Sequence, residues 1–443
     1  MYAKWWYAAA LAGAIVPAQA QDAELSKLRE ALRQLQQQVQ ELEKRVQEAE
    51  AKGGKSQEAA APAPPPPAQA GRSGGSSAFN PDISLILQGS AARSSLDPNT
   101  YQITGFAPSG GEVNPAPRSL NLGESELFIT SNVDPYFRGQ LAAALTPQSE
   151  IEVEEAFFQT LALGGGFTLK GGRFLSGIGY QNEIHQHAWD FQDAPLAYKA
   201  FLGGRLNDDG AQLRWLAPTD LFVELGAEIA RGRSFPATDN NKNGANAWSV
   251  FGHVGGDVGE SVAWRGGLSY LGASPQDRAF TALGAAQSFS GDSRLWIADF
   301  VLKWAPQGNA STTNFKLQGE YFRREESGAL TFDTSSGDYS SRQSGWYLQA
   351  AYQFMPRWRV GYRYDRLDHG TVTNGLGLTA QDAPLLLTDY NPTRNTAMVD
   401  WSLTEFSRFR LQYAVDRSRA DLTDNQLLLQ YILSLGAHGA HRF

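Results

Sequence analysis

The chain has 443 residues, 45 of them Gly, with no Cys and a formal net charge of -8. Lack of cysteine excludes a disulfide framework, a thiolate metal site and a thiol nucleophile, and the acidic balance excludes nucleic acid as a partner. Mean hydropathy is polar at -0.37 although aromatics reach 11%, the average expected of barrel strands that alternate apolar with polar residues.

Residues 1–20, MYAKWWYAAALAGAIVPAQA, join an early Lys4 to a short apolar run and end in Ala18-Gln19-Ala20, the pattern of a secretory signal peptide. From Leu25 the apolar positions Leu25, Leu28, Leu32, Leu35, Val39, Leu42, Val46 and Ala49 step alternately by three and four. That heptad seam predicts an α-helical coiled coil over 21–52, about 37 Å long from Leu25 to Ala49 at roughly 1.5 Å per residue, and with it identical partner chains. So narrow a stripe also fits a lone amphipathic helix lying on the protein's own surface. Residues 53–78 are rich in Pro and Ala, then in Gly and Ser, a spacer that is stiff at first and flexible after.

Residues 79–443 change to short alternating segments. FKLQGEYF sets Phe315, Leu317 and Tyr321 against Lys316, Gln318 and Glu320, and RFRLQYAVD sets Phe409, Leu411, Tyr413 and Val415 against Arg408, Arg410 and Gln412. About sixteen such strands are predicted, starting near 83, 118, 136, 150, 165, 211, 221, 247, 261, 293, 314, 344, 357, 396, 406 and 425. Alternation alone also fits a soluble sandwich with its greasy face inward. The connections discriminate: short turns such as NVDP (Asn132 to Pro135) and LGGG (Leu163 to Gly166) alternate with long polar segments such as Leu175 to Gly210 and Leu367 to Arg394. Sorting by parity is expected of an all-β transmembrane antiparallel barrel with turns at one rim and loops at the other. The last strand, LLLQYILSL, is followed by a short tail ending in Phe443. Sixteen strands leave room for an aqueous lumen.

The layout resembles trimeric outer-membrane porins that carry an N-terminal coiled coil, within the broad phosphate-selective porin group. The resemblance is carried by the whole order of segments and, in sequence, by the hairpin EVEEAFFQTLALGGGFTLKGGRFLSGIGY from Glu152 to Tyr180. The chain is also similar to proteobacterial outer-membrane proteins labelled zinc-regulated or TonB-dependent, although no plug domain or energy-coupling box is visible. The resemblance implies a homotrimer in the bilayer and lipopolysaccharide of the outer membrane, with the coiled coil in the periplasm near peptidoglycan. It implies passage of small hydrophilic or ionic solutes and a third long loop, residues 175–210, folded into the lumen as a constriction.

That loop contains EIHQHAWDF, which concentrates Glu183, His185, His187 and Asp190. An extended E-x-H-x-H projects Glu183, His185 and His187 to one side, a donor set suited to zinc; the simpler reading is a polar loop held by hydrogen bonds to the barrel wall. Lys170, Arg173, Arg214, Arg359, Arg363, Arg408 and Arg410 are predicted to face the lumen as a basic ladder, opposed by acids including Glu124, Glu126, Glu152, Glu154, Glu224, Glu228 and Glu320. Over 79–443 acids outnumber bases, 38 to 29, so composition does not support phosphate selectivity. Two weaker metal patterns are His438 with His441 in the tail, and DNNKNG (Asp239 to Gly244), which opens like a calcium loop but has Val250 where that loop needs an acid. No H-E-x-x-H or phosphate-binding loop occurs, and no enzyme is expected. The expected function is a passive outer-membrane porin without a cofactor. The alternatives are a zinc-responsive uptake or binding protein, and a gated receptor of TonB-dependent type.

Overall fold

The computed structural model describes residues 81–107, 113–146, 150–239, 243–282, 285–384 and 386–436. The signal, heptad and spacer segments, the centre of DNNKNG, and His438 with His441 lie outside the described residues.

Among the described residues one antiparallel sheet runs through the whole body. Its first half comprises β1 (Asp82–Ser94), β2 (Ser119–Leu122), β3 (Ser125–Asn132), β4 (Phe137–Leu145), β5 (Ile151–Thr160), β6 (Phe167–Leu175), β7 (Asn207–Leu216), β8 (Phe222–Ala230) and β9 (Ala247–Val258). Its second half comprises β10 (Val262–Ala273), β11 (Arg278–Ala282), β12 (Ala285–Trp304), β13 (Asn314–Phe332), β14 (Ser335–Met355), β15 (Trp358–Asn374), β16 (Thr393–Thr404), β17 (Ser407–Arg417) and β18 (Asp424–Gly436). β1 pairs with β18 from Ser84↔Gly436 to Ser94↔Gln426 and with β3 from Asp82↔Thr130 to Ile86↔Glu126, which closes the ring. Setting aside β2 and β11, which lie on β1 and β12 beside the main ring, sixteen of the described strands form the barrel.

Which way the faces point separates barrel from sandwich. Along β14 the buried residues are Tyr339, Ser341, Gln343, Gly345, Tyr347, Gln349 and Ala351, while Trp346, Leu348 and Tyr352 on the other face stand 37%, 47% and 42% exposed. Arg324, Arg363, Arg394 and Arg410 are among the largest fully buried side chains. An inside rich in guanidinium and amide with an outside of Leu, Trp and Tyr is the inverse of a water-facing sandwich and suits a lipid exterior. Cross-strand aromatic rows mark both edges of that exterior. Trp358, Trp401, Phe409 and Tyr431 follow one another at 5.8, 5.9 and 4.5 Å near the short-turn rim. Trp248, Tyr270 and Trp296 do so at 5.1 and 4.6 Å toward the other rim. Leu348→Arg, placed on the exposed face of β14, is expected to cost about 2–4 kcal/mol in lipid-embedded protein. A urea midpoint unchanged by the substitution would point to a face that meets water.

The strand starts differ most from the sequence-based expectation at two places. β12 and β14 begin at Ala285 and Ser335 rather than near 293 and 344. Their polar first halves read as loop, yet they remain strand because β12, β13 and β14 pair with one another along 18 and 19 residues. A span needs only about 9–11 residues, so these hairpins continue past the aromatic rows into water. The segment near 118 splits at Gly123, whose N–H reaches Gln88 O at 2.9 Å. A Cβ there would sit 2.7 Å from Gln88 Cβ, so the close approach that ends β2 needs glycine.

Candidate functional site

Residues 176–206, between β6 and β7, turn into the lumen. Asn182 ties the neck of this loop: its Nδ2 donates to Ser176 O and Leu206 O at 2.8 and 2.9 Å, and its Oδ1 accepts from Leu206 N–H at 2.8 Å. Gly179 has φ of 67° and faces Glu320 and Tyr198 so closely that a Cβ would lie 2.4 Å from Glu320 Oε2. Farther on, α1 (Leu196–Leu202) is buried at all seven positions and ends at Gly203 with φ of 69°. Its first N–H donates to Asp365 Oδ1 on β15 at 3.0 Å, and Tyr198 Oη donates to Glu320 on β13 at 2.9 Å.

The stretch before α1 crosses the lumen as a strap with opposite charges at its two ends. At one end His185 Nδ1 lies 3.1 Å from Glu154 Oε2 and 3.3 Å from Glu126 Oε2, while its Nε2 lies 3.1 Å from Glu155 Oε2. His187 Nδ1 is 3.0 Å from Glu126 Oε1, and the two imidazoles stack 5.9 Å apart against the edge of Phe128. At the other end Asp190 meets Lys316 at 2.9 Å and Arg359 at 3.2 Å. Asp193 meets Arg363 at 3.2 Å, Lys199 at 3.4 Å and Arg394. Between these anchors Arg408 and Arg410 donate to the main-chain carbonyls of His187 and Trp189 at 2.7 and 2.9 Å. The loop's imidazoles thus dock on an acidic wall and its carboxylates on a basic one.

The strap's ionisations follow from these contacts. Burial works against the His185 imidazolium, but Glu126, Glu154 and Glu155 outweigh it and hold the ring well above its ordinary pKa. Burial likewise works against the Asp190 and Asp193 carboxylates. Lys316 and Arg359 for the first, and Arg394, Arg363 and Lys199 for the second, hold both well below the usual range.

Several candidate residues lie on inward strand faces. Arg214, Arg359, Arg363, Arg408 and Arg410 face inward, as do Glu126, Glu154, Glu224, Glu228 and Glu320. Lys170 is inside, its Nζ 4.6 Å from the Phe157 ring centroid, and Glu124 reaches Arg205 at 3.4 Å. Arg173 does not face the lumen. The unbroken register of β6 against β7 puts it on the face of Phe167 and Leu169, 46% and 39% exposed, where it pairs across the strands with Asp209 at 2.6 Å. Glu183 does not join the histidines: the chain is not extended here, because Gln186–Ala188 forms a 3-10 turn, and Glu183 pairs with Arg214 instead.

Sequence reasoning missed Glu155. A register shift in β5, where Ala142 pairs with Glu155 but Ala143 with Val153, leaves Glu154 as an extra residue. The bulge turns two consecutive glutamates inward, which strict alternation forbids. Asp193 and Arg205 were also missed, since a loop has no period to mark its inward positions, and Arg394 was missed because the sequence reading ended the connection before β16 on it.

Above and beside the strap the lumen carries apolar packing. Phe201 of α1 stacks on Phe322 at 6.0 Å and meets Phe106 edge-on at 5.6 Å, with Leu295, Ile297, Tyr347 and Leu367 around them. A cavity of about 510 Å³ remains between the strap, β1, β18 and the loop after β1. Its charged lining is balanced: Arg93, Lys199, Arg205 and Arg394 against Glu124, Glu150, Glu152 and Asp193.

No family model matches the chain. An uncharacterized protein of Aquifex aeolicus (strain VF5) is 33% identical over 394 residues, covering 83% of this chain and 80% of that protein. The chain belongs to the family of this Aquifex protein. For the family's fold, a loop-deletion mutant of OmpT, an outer membrane protein of Vibrio cholerae, superposes with a TM-score of 0.50 at 12% identity, covering 80% of this chain and 99% of that one. The anion-selective porin from Comamonas acidovorans gives a TM-score of 0.47 at 10% identity over 80% and 99% of the two chains. The OmpT likeness shows the architecture, a closed antiparallel β-barrel.

Proposed function

We propose that the protein is a passive outer-membrane channel for small hydrophilic or ionic solutes, with residues 175–210 as its constriction loop. The observation that carries the reading is the strap, which divides a polar lumen and is anchored by opposite charges on facing walls. Solutes pass through the water-accessible space beside it, and fixed charges rather than a tight binding pocket set their preference. In this reading the barrel sits in lipid and lipopolysaccharide as a homotrimer. The heptad segment joins three copies in the periplasm beside peptidoglycan.

The balanced lining, four bases and four acids, favours weak ion selection over a dedicated phosphate path. Purified protein in a planar bilayer is therefore expected to give stable stepwise openings and a reversal potential near zero in a tenfold potassium chloride gradient. No openings would overturn the channel reading, and a strongly anion-selective potential would overturn weak selection.

A further inference from the structure

The acidic end of the strap has the donor geometry of a metal centre. Each wall carboxylate holds a neighbour and still presents one oxygen to His185. Glu154 Oε1 takes Arg205 while its Oε2 lies 3.1 Å from His185 Nδ1. Glu126 holds His187 Nδ1 with both oxygens at 3.0 Å, and its Oε2 also lies 3.3 Å from the same His185 nitrogen. Ligands at about 2.0–2.1 Å around a tetrahedral zinc stand roughly 3.3–3.4 Å apart, so two of the three edges are already near that length. The third is no longer than 4.8 Å.

A second feature points the same way. His185 Nε2 is 3.1 Å from Glu155 Oε2, the carboxylate that the bulge in β5 turns inward. A histidine that ligates a metal through one nitrogen characteristically donates its other N–H to a carboxylate, which fixes ring and tautomer. Here that arrangement leaves Nδ1 to face the two wall carboxylates. Of the four glutamates, Glu124 and Glu154 share one guanidinium, Arg205, while Glu126 and Glu155 face the histidines. His185 faces Glu126, Glu154 and Glu155 together, and a divalent cation would offset their charge better than a shared proton.

We propose that Glu126, Glu154 and His185 bind a divalent cation of the zinc class, with Glu155 and His187 as positioning residues, pinning the strap to β3 and β5. The ion takes the place of the proton on Nδ1 and releases it to solvent. An imidazole among the ligands selects zinc-class ions over magnesium and calcium. The site does not depend on whether the barrel conducts, so its test uses none of the channel measurements.

The test is calorimetric titration of full-length, metal-stripped protein in detergent with zinc chloride, repeated with magnesium chloride, and optical titration with cobalt chloride. One zinc per chain, visible cobalt bands and no magnesium heat are expected. His185→Asn and Glu126→Gln should abolish both the zinc uptake and the cobalt bands, and Glu155→Gln should keep one ion per chain at 10- to 100-fold weaker affinity. Glu183→Gln should bind as the parent does. Zinc binding that survives His185→Asn would place the metal elsewhere and overturn the proposal, as would parent protein that takes up no zinc. Because a variant that misfolds also loses binding, each is first checked for the heat-resistant electrophoretic mobility of a folded barrel. If His185→Asn and Glu126→Gln fail that check, Glu155→Gln decides: affinity equal to the parent's overturns the assignment.

Discussion

Asp193→Ala is expected to lower stability by about 3–5 kcal/mol, the usual cost of removing one member of a buried ion pair and leaving its partners charged. Arg363 and Arg394 are 0% and 2% exposed and Lys199 is equally buried. Asp193 also accepts from Gln412 Nε2 at 3.1 Å, so truncation strands donors on β15, β16 and β17 at once. The strap's basic-wall end should come free, and single-channel records should show frequent current fluctuations where the parent is steady. A urea midpoint and current noise equal to the parent's would show that the ion cluster does not hold the strap.

The pH dependence follows with a definite sign. The Asp190 and Asp193 carboxyls lie below their ordinary range in the folded protein. Their contribution is therefore complete above the unfolded carboxyl pKa of about 3.9 and is lost as pH falls through the folded values. The basic-wall anchor should hold at pH 5 and weaken only in strong acid. Loss of both signatures of docking between pH 7 and 5 would contradict this.

Phe201→Ala has the second large expected effect. The ring is fully buried, stacked on Phe322 and set over Gly345, where an added Cβ would stand 3.1 Å from Phe201 Cε2. Truncating a buried Phe costs about 3–5 kcal/mol. The loss falls on α1, which depends on this packing because seven residues are too few to hold a helix in water. The helix should loosen from β13, β14 and β15, and single-channel conductance should rise because α1 fills lumen cross-section. Unchanged conductance with lowered stability would mean that the permeation path avoids the helix altogether.

Much of the barrel was legible in the sequence. The run from Phe315 to Phe322, or from Arg408 to Val415, states which side chains meet lipid and which meet the lumen, because a strand's period of two is local. The parity of the connections made the barrel readable as well, for short turns and long loops differ in composition wherever they fold. The candidate site was legible only in part. The inward arginines of β15 and β17 followed from alternation, as did Glu126 on β3. Arg173 was misplaced, because its inward assignment rested on charge rather than on the parity it shares with Leu169. Glu155 was hidden by a bulge that depends on how β5 meets β4.

By itself the sequence determined the closed barrel, the two faces of each strand and the identity of the loop that carries Glu183, His185, His187 and Asp190. Only the tertiary structure decided which charges meet. His185 finds Glu155 across 30 positions and Asp193 finds Gln412 across 219. Such pairings depend on barrel closure and strand register, and on the path of a loop whose own residues have no repeating period. A desolvated charge must find an opposite partner when the chain folds, and the partner it finds is the one that long-range register brings within reach.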